Sequence, residues 1–282
     1  RSIGTDHHRM PHTGVTNWDA TVKPIPAAAL SSPDADQIER NLARQHKCFE
    51  ESQQKAACSL VSLKLLLTPK FIGERQSGNV IAEVPGTDPA AGVVVIGGHL
   101  DSWDLGTGAI DDGAGVAITT AAAKVILDSG KKPRRTIRVI WWGAEEVGGF
   151  GGAAYFKAHG TEAHAFASES DFGADRIWRV DFGLPDSAKA LVARLTSALA
   201  ALGIGPGSDP ASGGTDVGEL VKSGVPVIDL QQDGTRYFDL HHTADDTLDK
   251  IDRVQLEQNV AAWAIVLDAV ANAPENLLFR AK

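Results

Sequence analysis

The sequence has few of the residues that build a cysteine framework, a membrane segment or a nucleic-acid surface. Cysteine occurs only twice among 282 residues, at Cys48 and Cys58. One pair is no disulfide framework, and the sequence leaves open whether these thiols form a local disulfide or stay free. The apolar runs are no longer than a strand, which argues against a transmembrane helix. The net charge of −9 argues against nucleic acid as a partner, because nucleic-acid-binding surfaces are basic.

Signatures of other enzyme classes are also missing. The chain has neither the Gly-x-Ser-x-Gly elbow of serine hydrolases nor a Walker-type phosphate loop. The glycine-rich stretch from Gly148 to Gly152 follows a strand-like run but lacks the dinucleotide-binding spacing, so we interpret it as a tight turn. The chain opens with Arg1-Ser2-Ile3, without an initiator Met or a signal peptide. We therefore expect a processed or N-terminally truncated product.

Apolar runs alternate with helical patterns from about residue 74 onward. The predicted strands span 79–84, 93–98, 136–142, 165–170 and 225–230, and the predicted helices span 113–127, 152–158, 187–202 and 254–271. Continuous Val and Ile runs between helices are typical of a mostly parallel sheet buried on both faces. The sequence therefore predicts an α/β fold with a central sheet flanked by helices. The earlier residues differ, with a proline-rich connection, a predicted helix over 34–44 and a polar stretch over 45–59 that the pattern does not explain.

Five possible metal ligands are predicted at the ends of core strands, and they are His99, Asp111, Glu146, Asp171 and His242. Side chains at the carboxyl ends of strands in an α/β sheet converge on one crevice. Two histidines and three carboxylates suit zinc, cobalt or manganese. A second carboxylate, Glu145, stands next to Glu146 and is free to act as a base. The pattern favours metal-assisted hydrolysis.

Each position also has a structural interpretation. A strand-end histidine can be a satisfied core residue, an aspartate can cap the following helix, and paired glutamates can form a solvated turn. Asp171 is preferred over Glu169 because it lies at the strand end. Only one of His241 and His242 is expected to bind metal, because neighbouring side chains point apart in an extended chain.

Taken together, the motifs resemble the co-catalytic two-zinc exopeptidases of the aminopeptidase family, in the branch that includes carboxypeptidase Q. They are Gly98-His99-Leu100-Asp101-Ser102-Trp103-Asp104, Asp111-Asp112-Gly113, Ala144-Glu145-Glu146, Glu169-Ser170-Asp171 and His241-His242-Thr243. Their order along the chain is a more specific signal than any one motif. The resemblance covers residues 74 to 282.

The resemblance implies two divalent metal ions, with zinc expected, and a fold of the zinc-exopeptidase, phosphorylase/hydrolase-like type. Asp111 would bridge the ions, and the bond between Asp111 and Asp112 would be cis. His99 and Asp171 would bind one metal, and Glu146 and His242 would bind the second. Glu145 would be the general base and acid, and Asp101 would orient His99. His241 would stabilise the oxyanion, and Thr215 would lie in a substrate-side loop.

The resemblance implies hydrolysis of dipeptides or short peptides, as a dipeptidase or aminopeptidase exported to the periplasm or the extracellular space. Residues 1–73 would be the C-terminal part of a protease-associated insert domain, and 74–282 a catalytic domain that lacks its N-terminal portion. Arg236 is a weaker candidate as a carboxylate clamp, and a solvated arginine is the favoured interpretation. The alternatives are a non-catalytic binding relative and a single-zinc transferase of the glutaminyl cyclase type. A homodimer is left open.

Overall fold

The computed structural model describes residues 4–5, 7–68, 70 and 72–278. Its strands are β1 (Val80–Val84), β2 (Val93–His99), β3 (Thr136–Trp142), β4 (His164–Glu169), β5 (Ile177–Gly183), β6 (Gly205–Pro206) and β7 (Val227–Gln232). Its α-helices are α1 (Ser32–Glu51), α2 (Ala114–Asp128), α3 (Phe150–His159), α4 (Lys189–Ala200), α5 (Gly218–Lys222), α6 (Tyr237–Leu240) and α7 (Arg253–Asn272). Each strand and helix predicted beyond residue 74 is present, with bounds shifted by at most two residues.

The strands form a four-stranded sheet and a three-stranded sheet. The first has the order β1-β3-β2-β4, with β2 parallel to both neighbours and β1 antiparallel to β3. The second has the order β6-β5-β7, with β6 parallel and β7 antiparallel to β5. A backbone hydrogen bond of 3.0 Å from Ala167 of β4 to the carbonyl of Pro226 connects the two sheets. The predicted α/β fold is confirmed, with antiparallel strands at β1 and β7.

Helices cover both faces of the first sheet, because β2 is apolar on both sides. Val94 and Ile96 point to one face and pack in a cluster with Ile118 of α2 and residues of α7. Val95 points to the other face and packs with Tyr155 of α3. Successive side chains of a strand alternate between faces, so an unbroken run of Val and Ile needs helices on both sides. This packing fixes the position of the strand ends that carry the candidate site.

Two strands were not predicted, β5 and β6. In β5, Arg179 and Asp181 interrupt the apolar residues, and their side chains pair at 3.0 Å between Nε and Oδ2. The sequence Ile-Trp-Arg-Val-Asp-Phe-Gly therefore shows neither a continuous apolar run nor clean alternation. The strand β6 has only two residues, too few for any pattern.

The helix in the amino-terminal region is longer than predicted. It begins at Ser32, after Ser31 caps it by accepting a hydrogen bond of 3.3 Å from the backbone N–H of Asp34. It takes in the first part of the polar stretch, and a disulfide joins Cys48 to Cys58, with the Cα atoms 5.8 Å apart. The open question about the two thiols is thus answered by a local disulfide. The division into an insert domain and a catalytic domain stays a prediction. Among the described residues, none of the helices combines the length and the hydropathy that a membrane span requires.

Candidate metal centre

The side chains predicted as ligands come from one edge of the four-stranded sheet and from two nearby turns. Strands β2, β3 and β4 run parallel, so their carboxyl ends open on the same edge. His99 ends β2, Glu146 follows β3, and Asp171 follows β4. Asp111 comes from the turn before α2, and His242 comes from the loop after α6, so the prediction that every ligand ends a core strand is wrong for these two. All five predicted ligands lie in one cluster.

Asp111 lies at the centre of this cluster and faces a histidine on each side. Its Oδ1 is 3.1 Å from Nε2 of His99, and its Oδ2 is 3.2 Å from Nε2 of His242. Asp171 lies on the His99 side, with Oδ1 3.5 Å from Nε2 of that ring. Glu146 lies on the other side, with Oε2 2.9 Å from Nε2 of His242. The cluster therefore has two halves that share one carboxylate.

Both histidines are held so that Nε2 faces the carboxylates. Nδ1 of His99 lies 2.8 Å from the backbone oxygen of Asp101, and Nδ1 of His242 lies 3.1 Å from the backbone oxygen of Thr13. A carbonyl oxygen only accepts hydrogen bonds, so we assign the proton to Nδ1 in both rings. Nε2 is then the nitrogen left to bind a metal, the usual arrangement of a ligating histidine.

Burial and charge act against each other at these rings. Burial opposes the charged form of His242, but its hydrogen bonds to Asp111 and Glu146 outweigh this effect and raise its pKa to about 10. Burial also opposes the charged form of His99, yet hydrogen bonds to Asp111 and Asp171 raise its pKa strongly. In the absence of a metal, the acids therefore hold protons on the two rings, and a cation would take the place of the proton on each Nε2.

Asp112 has the structural role that was one interpretation of this turn. Its carboxylate accepts hydrogen bonds from the backbone N–H of His99 at 3.0 Å and of Gly115 at 3.1 Å, so it caps the start of α2. Asp111 is left to face the histidines. The peptide bond between the two aspartates is cis, as the resemblance implied.

Asp101 is placed differently from what was expected. Its carboxylate accepts hydrogen bonds from the backbone N–H of Glu145 at 3.0 Å and of Glu146 at 3.2 Å. Its Oδ1 is 3.8 Å from Nδ1 of His99, and the closer contact to that ring is made by the Asp101 backbone oxygen. The residue thus orients His99 through its main chain and fixes the paired-glutamate turn through its side chain.

Glu145 lies at the wall of a cavity beside the cluster. The cavity has a volume of about 510 Å³ and is also lined by Thr215, His241, and the aromatic residues Phe172, Tyr237 and Phe238. Burial raises the pKa of Glu145 to about 7, with His99 opposing this shift and Asp171 adding to it. The predicted base and both predicted substrate-side residues therefore border the same space.

The two adjacent histidines do not point apart as predicted. His242 has a φ of 58°, and this left-handed conformation places its ring on that of His241, with centroids 3.6 Å apart. Nε2 of His241 lies 3.4 Å from Oδ2 of Asp111. Its Nδ1, however, is buried and has no hydrogen-bond partner among the described residues. His242 is therefore the better-oriented ligand of the two.

A second row of acids lies behind Asp171. The carboxylate of Glu169 accepts a hydrogen bond of 2.9 Å from the backbone N–H of Asp216, and both residues are buried. Burial raises the pKa of both groups, that of Asp216 to about 6. Asp216 follows Thr215 in the substrate-side loop that the resemblance implied, whereas Asp246 was not predicted to have a role. The latter accepts hydrogen bonds from the backbone N–H groups of Ile110 and Asp111, and no motif singles it out.

Arg236 is not available as a clamp for a substrate carboxylate. It forms a bidentate pair with Asp175, at 2.7 and 2.6 Å, and donates to the backbone oxygen of Lys250 at 2.8 Å. These contacts hold its guanidinium in the protein.

The cluster fits divalent metal ions. Apart from the neighbouring histidine rings, no donor of the described residues faces three buried oxygens, Oδ2 of Asp111, Oε1 of Glu146 and Oδ1 of Asp171. Buried anionic oxygens are costly unless a donor or a cation faces them. Ligand atoms of His99, Asp111 and Asp171 lie within 4.8 Å of one another, as do those of Asp111, His241 and His242. This donor set of imidazole nitrogen and carboxylate oxygen suits zinc.

Comparison with known proteins agrees with this geometry. The pattern described as peptidase family M28 matches residues 79–267. Carboxypeptidase Q of Bos taurus and of Homo sapiens are each 32% identical to the chain over 279 residues, covering 98% of this chain and 56% of the relative. The chain thus spans about half the length of these curated relatives.

Solved structures give the same picture. The crystal structure of a peptidase M28 precursor from Shewanella amazonensis superposes with a TM-score of 0.88 at 48% identity, covering 100% of this chain and 61% of that one. A zinc aminopeptidase from Bacillus subtilis shares the fold, with a TM-score of 0.52 at 18% identity over 72% of this chain and 53% of that one. The resemblance inferred from the motifs is confirmed.

Proposed function

We propose that this chain, which belongs to peptidase family M28, hydrolyses the peptide bond of dipeptides or short peptides by a metal-dependent mechanism. The observation that carries the proposal is the shared carboxylate of Asp111 between two ligand groups, with Glu145 beside them on the cavity wall. A carboxylate that serves two groups is typical of a site with two metal ions. The activity is that of a dipeptidase or aminopeptidase.

Two divalent metal ions, zinc by the donor set, would be held in the two halves of the cluster. His99 and Asp171 would hold one, Glu146 and His242 would hold the other, and Asp111 would serve both halves. When bound, such ions polarise the scissile carbonyl and make water more acidic. We assign His242 rather than His241 as the ligand, because the Thr13 backbone oxygen fixes the tautomer of His242. His241 then faces the cavity and is suited to steady the oxyanion.

Glu145 is the general base and acid of the proposed reaction. It takes the proton of the attacking water and returns it to the leaving amine. The ligand contact to His242 is made by the neighbouring Glu146, so the Glu145 carboxylate is free for this task. The hydrogen bond from its backbone N–H to Asp101 keeps it in place.

The cavity suits the amino-terminal end of a peptide. Its carboxylates attract an ammonium group, and Phe172, Tyr237 and Phe238 provide an apolar wall for a side chain. Thr215 borders the same space from the opposite loop. A peptide bound with its free amino terminus toward these carboxylates would have its first peptide bond near Glu145.

The remaining proposals concern the whole protein. We assign residues 1–73 to the end of a protease-associated insert domain and 74–282 to the catalytic domain. Export to the periplasm or the extracellular space is supported by the disulfide between Cys48 and Cys58, because structural disulfides persist in oxidising compartments.

Metal content and hydrolysis, measured together, test the proposed function. We expect two zinc ions per chain and turnover of a dipeptide panel that a chelator abolishes and added zinc restores. Asp111→Asn should lose both ions, whereas the same change at the exposed Asp128 should lose neither. A single ion per chain would contradict the two-metal proposal. Two ions without turnover of any dipeptide would contradict the proposed exopeptidase activity.

A further inference from the structure

Residues that precede the family-matched region contact the cluster of predicted ligands directly. We call residues 7–14 the amino-terminal strap. The ring of His8 lies 3.0 Å from the carboxylate of Asp245, and the ring of His12 lies 2.7 Å from the backbone oxygen of Phe238. The strap thus runs along the loop that follows α6 and carries His242. None of its residues falls within the matched range of 79–267.

Thr13 is the strap residue that holds His242. Its backbone N–H donates to the His242 carbonyl at 2.7 Å, and its own carbonyl accepts from Nδ1 of the ring at 3.1 Å. Its hydroxyl lies 2.7 Å from the backbone oxygen of Asp104 and 3.0 Å from that of His242. Thr13 therefore forms hydrogen bonds with both the main chain and the imidazole of His242, which lies 229 positions later in the sequence.

We propose that Thr13 is a positioning residue for the metal half formed by Glu146 and His242. The proposal rests on the proposed function only in that the cluster binds metal. Because the Thr13 carbonyl can only accept, it keeps the proton on Nδ1 and leaves Nε2 to face Glu146 and Asp111. The hydroxyl ties the strap to Asp104 and so fixes the position of that carbonyl.

The backbone of His242 shows why such a hold is needed. A φ of 58° is uncommon for a residue other than glycine, and it persists where the surroundings enforce it. The Thr13 N–H secures the carbonyl of this residue, and the Thr13 carbonyl secures its ring. His99 needs no such strap, because it ends a buried strand and the Asp101 carbonyl two residues later orients its ring.

Because only one half depends on Thr13, we expect a change at Thr13 to weaken metal binding in that half alone. Loss of the partner that orients a ligating histidine weakens metal binding about 10- to 100-fold. Weakening the strap should therefore lower zinc affinity in the half of Glu146 and His242. The half of His99 and Asp171 has no contact with Thr13 among the described residues and should keep its affinity.

The test is a zinc titration of the full chain against a chromophoric chelator, which resolves two binding steps. Thr13→Val removes the hydroxyl at nearly constant shape and should weaken one step about tenfold, leaving the other within about twofold. Thr13→Ser keeps the hydroxyl and should restore both steps. Thr16→Val is the matched control, because Thr16 is exposed and lines, together with Thr13 and Trp103, a second cavity beside His242.

A second measurement needs no variant. In the zinc-loaded protein, ¹⁵N spectra of the histidine rings should show His242 protonated at Nδ1 and ligated at Nε2. Ligation through Nδ1 would overturn the proposal even if Thr13→Val did not fold.

Equal zinc binding by Thr13→Val and Thr16→Val would also overturn it, as would an equal loss in both steps or a loss that Thr13→Ser does not restore. A wild-type chain that binds no zinc would instead refute the proposed function. The two failures are therefore distinguishable.

Discussion

Replacing Glu145 by glutamine separates the chemistry of the site from its metal binding. Glutamine has the same shape as glutamate but cannot take a proton from water. The turn should be kept, because Asp101 holds it through the backbone N–H groups of residues 145 and 146, which the substitution does not touch. The ligand contact to His242 belongs to Glu146 and is also kept.

We expect Glu145→Gln to cause a large loss of activity that appears in kcat. A positioned general base contributes about 10²- to 10⁴-fold to the rate. At about 1.4 kcal/mol per tenfold, this corresponds to about 3–5 kcal/mol in the activation barrier. We expect kcat to fall by this factor while KM changes little, because Glu145 acts on the attacking water and the substrate is held by the rest of the cavity.

The assay is steady-state hydrolysis of the best dipeptide of the panel, with zinc content measured on the same samples. Glu257→Gln is the control, the same replacement at an exposed position of α7, and it should match the wild type. Glu146→Gln should instead lose zinc from its half. A Glu145→Gln variant that keeps more than a tenth of kcat would refute the assignment of the base, and one that loses zinc would show that Glu145 is a ligand.

Three further predictions concern the scaffold. Gly115→Ala should destabilise the fold by about 1–3 kcal/mol in urea unfolding, because a Cβ there would overlap the Ser170 carbonyl oxygen and the Asp112 carboxylate. Arg135→Met should cost about 3–5 kcal/mol in the same assay, because the buried guanidinium donates to four backbone oxygens, those of Ala91, Val270, Ala273 and Glu275. Replacing Cys48 and Cys58 by serine should speed proteolysis within residues 45–60 and leave zinc content unchanged, since the disulfide joins residues only 10 positions apart and neither cysteine is a ligand.

The two stability predictions, at Gly115 and Arg135, each have a control variant at another position of the chain. A Cβ at Gly218 meets no atom of the described residues within 4 Å, so Gly218→Ala should be neutral or slightly stabilising. Arg253→Met, at an exposed pair with Glu257, should change stability by less than about 0.5 kcal/mol. Equal effects at position 115 and 218, or at 135 and 253, would contradict the packing described. A serine variant with altered zinc content would contradict the local role of the disulfide.

Three ligands could be predicted because each ends or follows a strand with a clear apolar pattern, and they are His99, Glu146 and Asp171. The Val and Ile run of β2 predicts a buried strand, and the parallel arrangement then places His99 beside the end of β4 and Asp171. The order of five motifs adds the specificity that no single residue has. The strand positions follow from burial of apolar side chains on both faces, and a short apolar run in the sequence reveals this burial.

The contacts that the sequence did not predict are made by backbone groups or by turns. The Asp101 carboxylate accepts from backbone N–H groups, and Thr13 acts on His242 through its own carbonyl and N–H. Every residue has such groups, so no residue type marks the position. The stacked rings of His241 and His242 were also missed, because an extended chain was assumed where His242 adopts a positive φ.

The two halves of the cluster are held in place by different means. His99 and Asp171 follow neighbouring strands, so the packed sheet fixes the distance between them. Glu146 and His242 lie in turns and depend on hydrogen bonds from Asp101 and Thr13. A strand position follows from hydrophobic burial, which a short window of sequence reveals, whereas the position of a turn follows from contacts between distant segments. The half built on strands is therefore set by the core, and the half built on turns is the part that distant residues such as Thr13 can adjust.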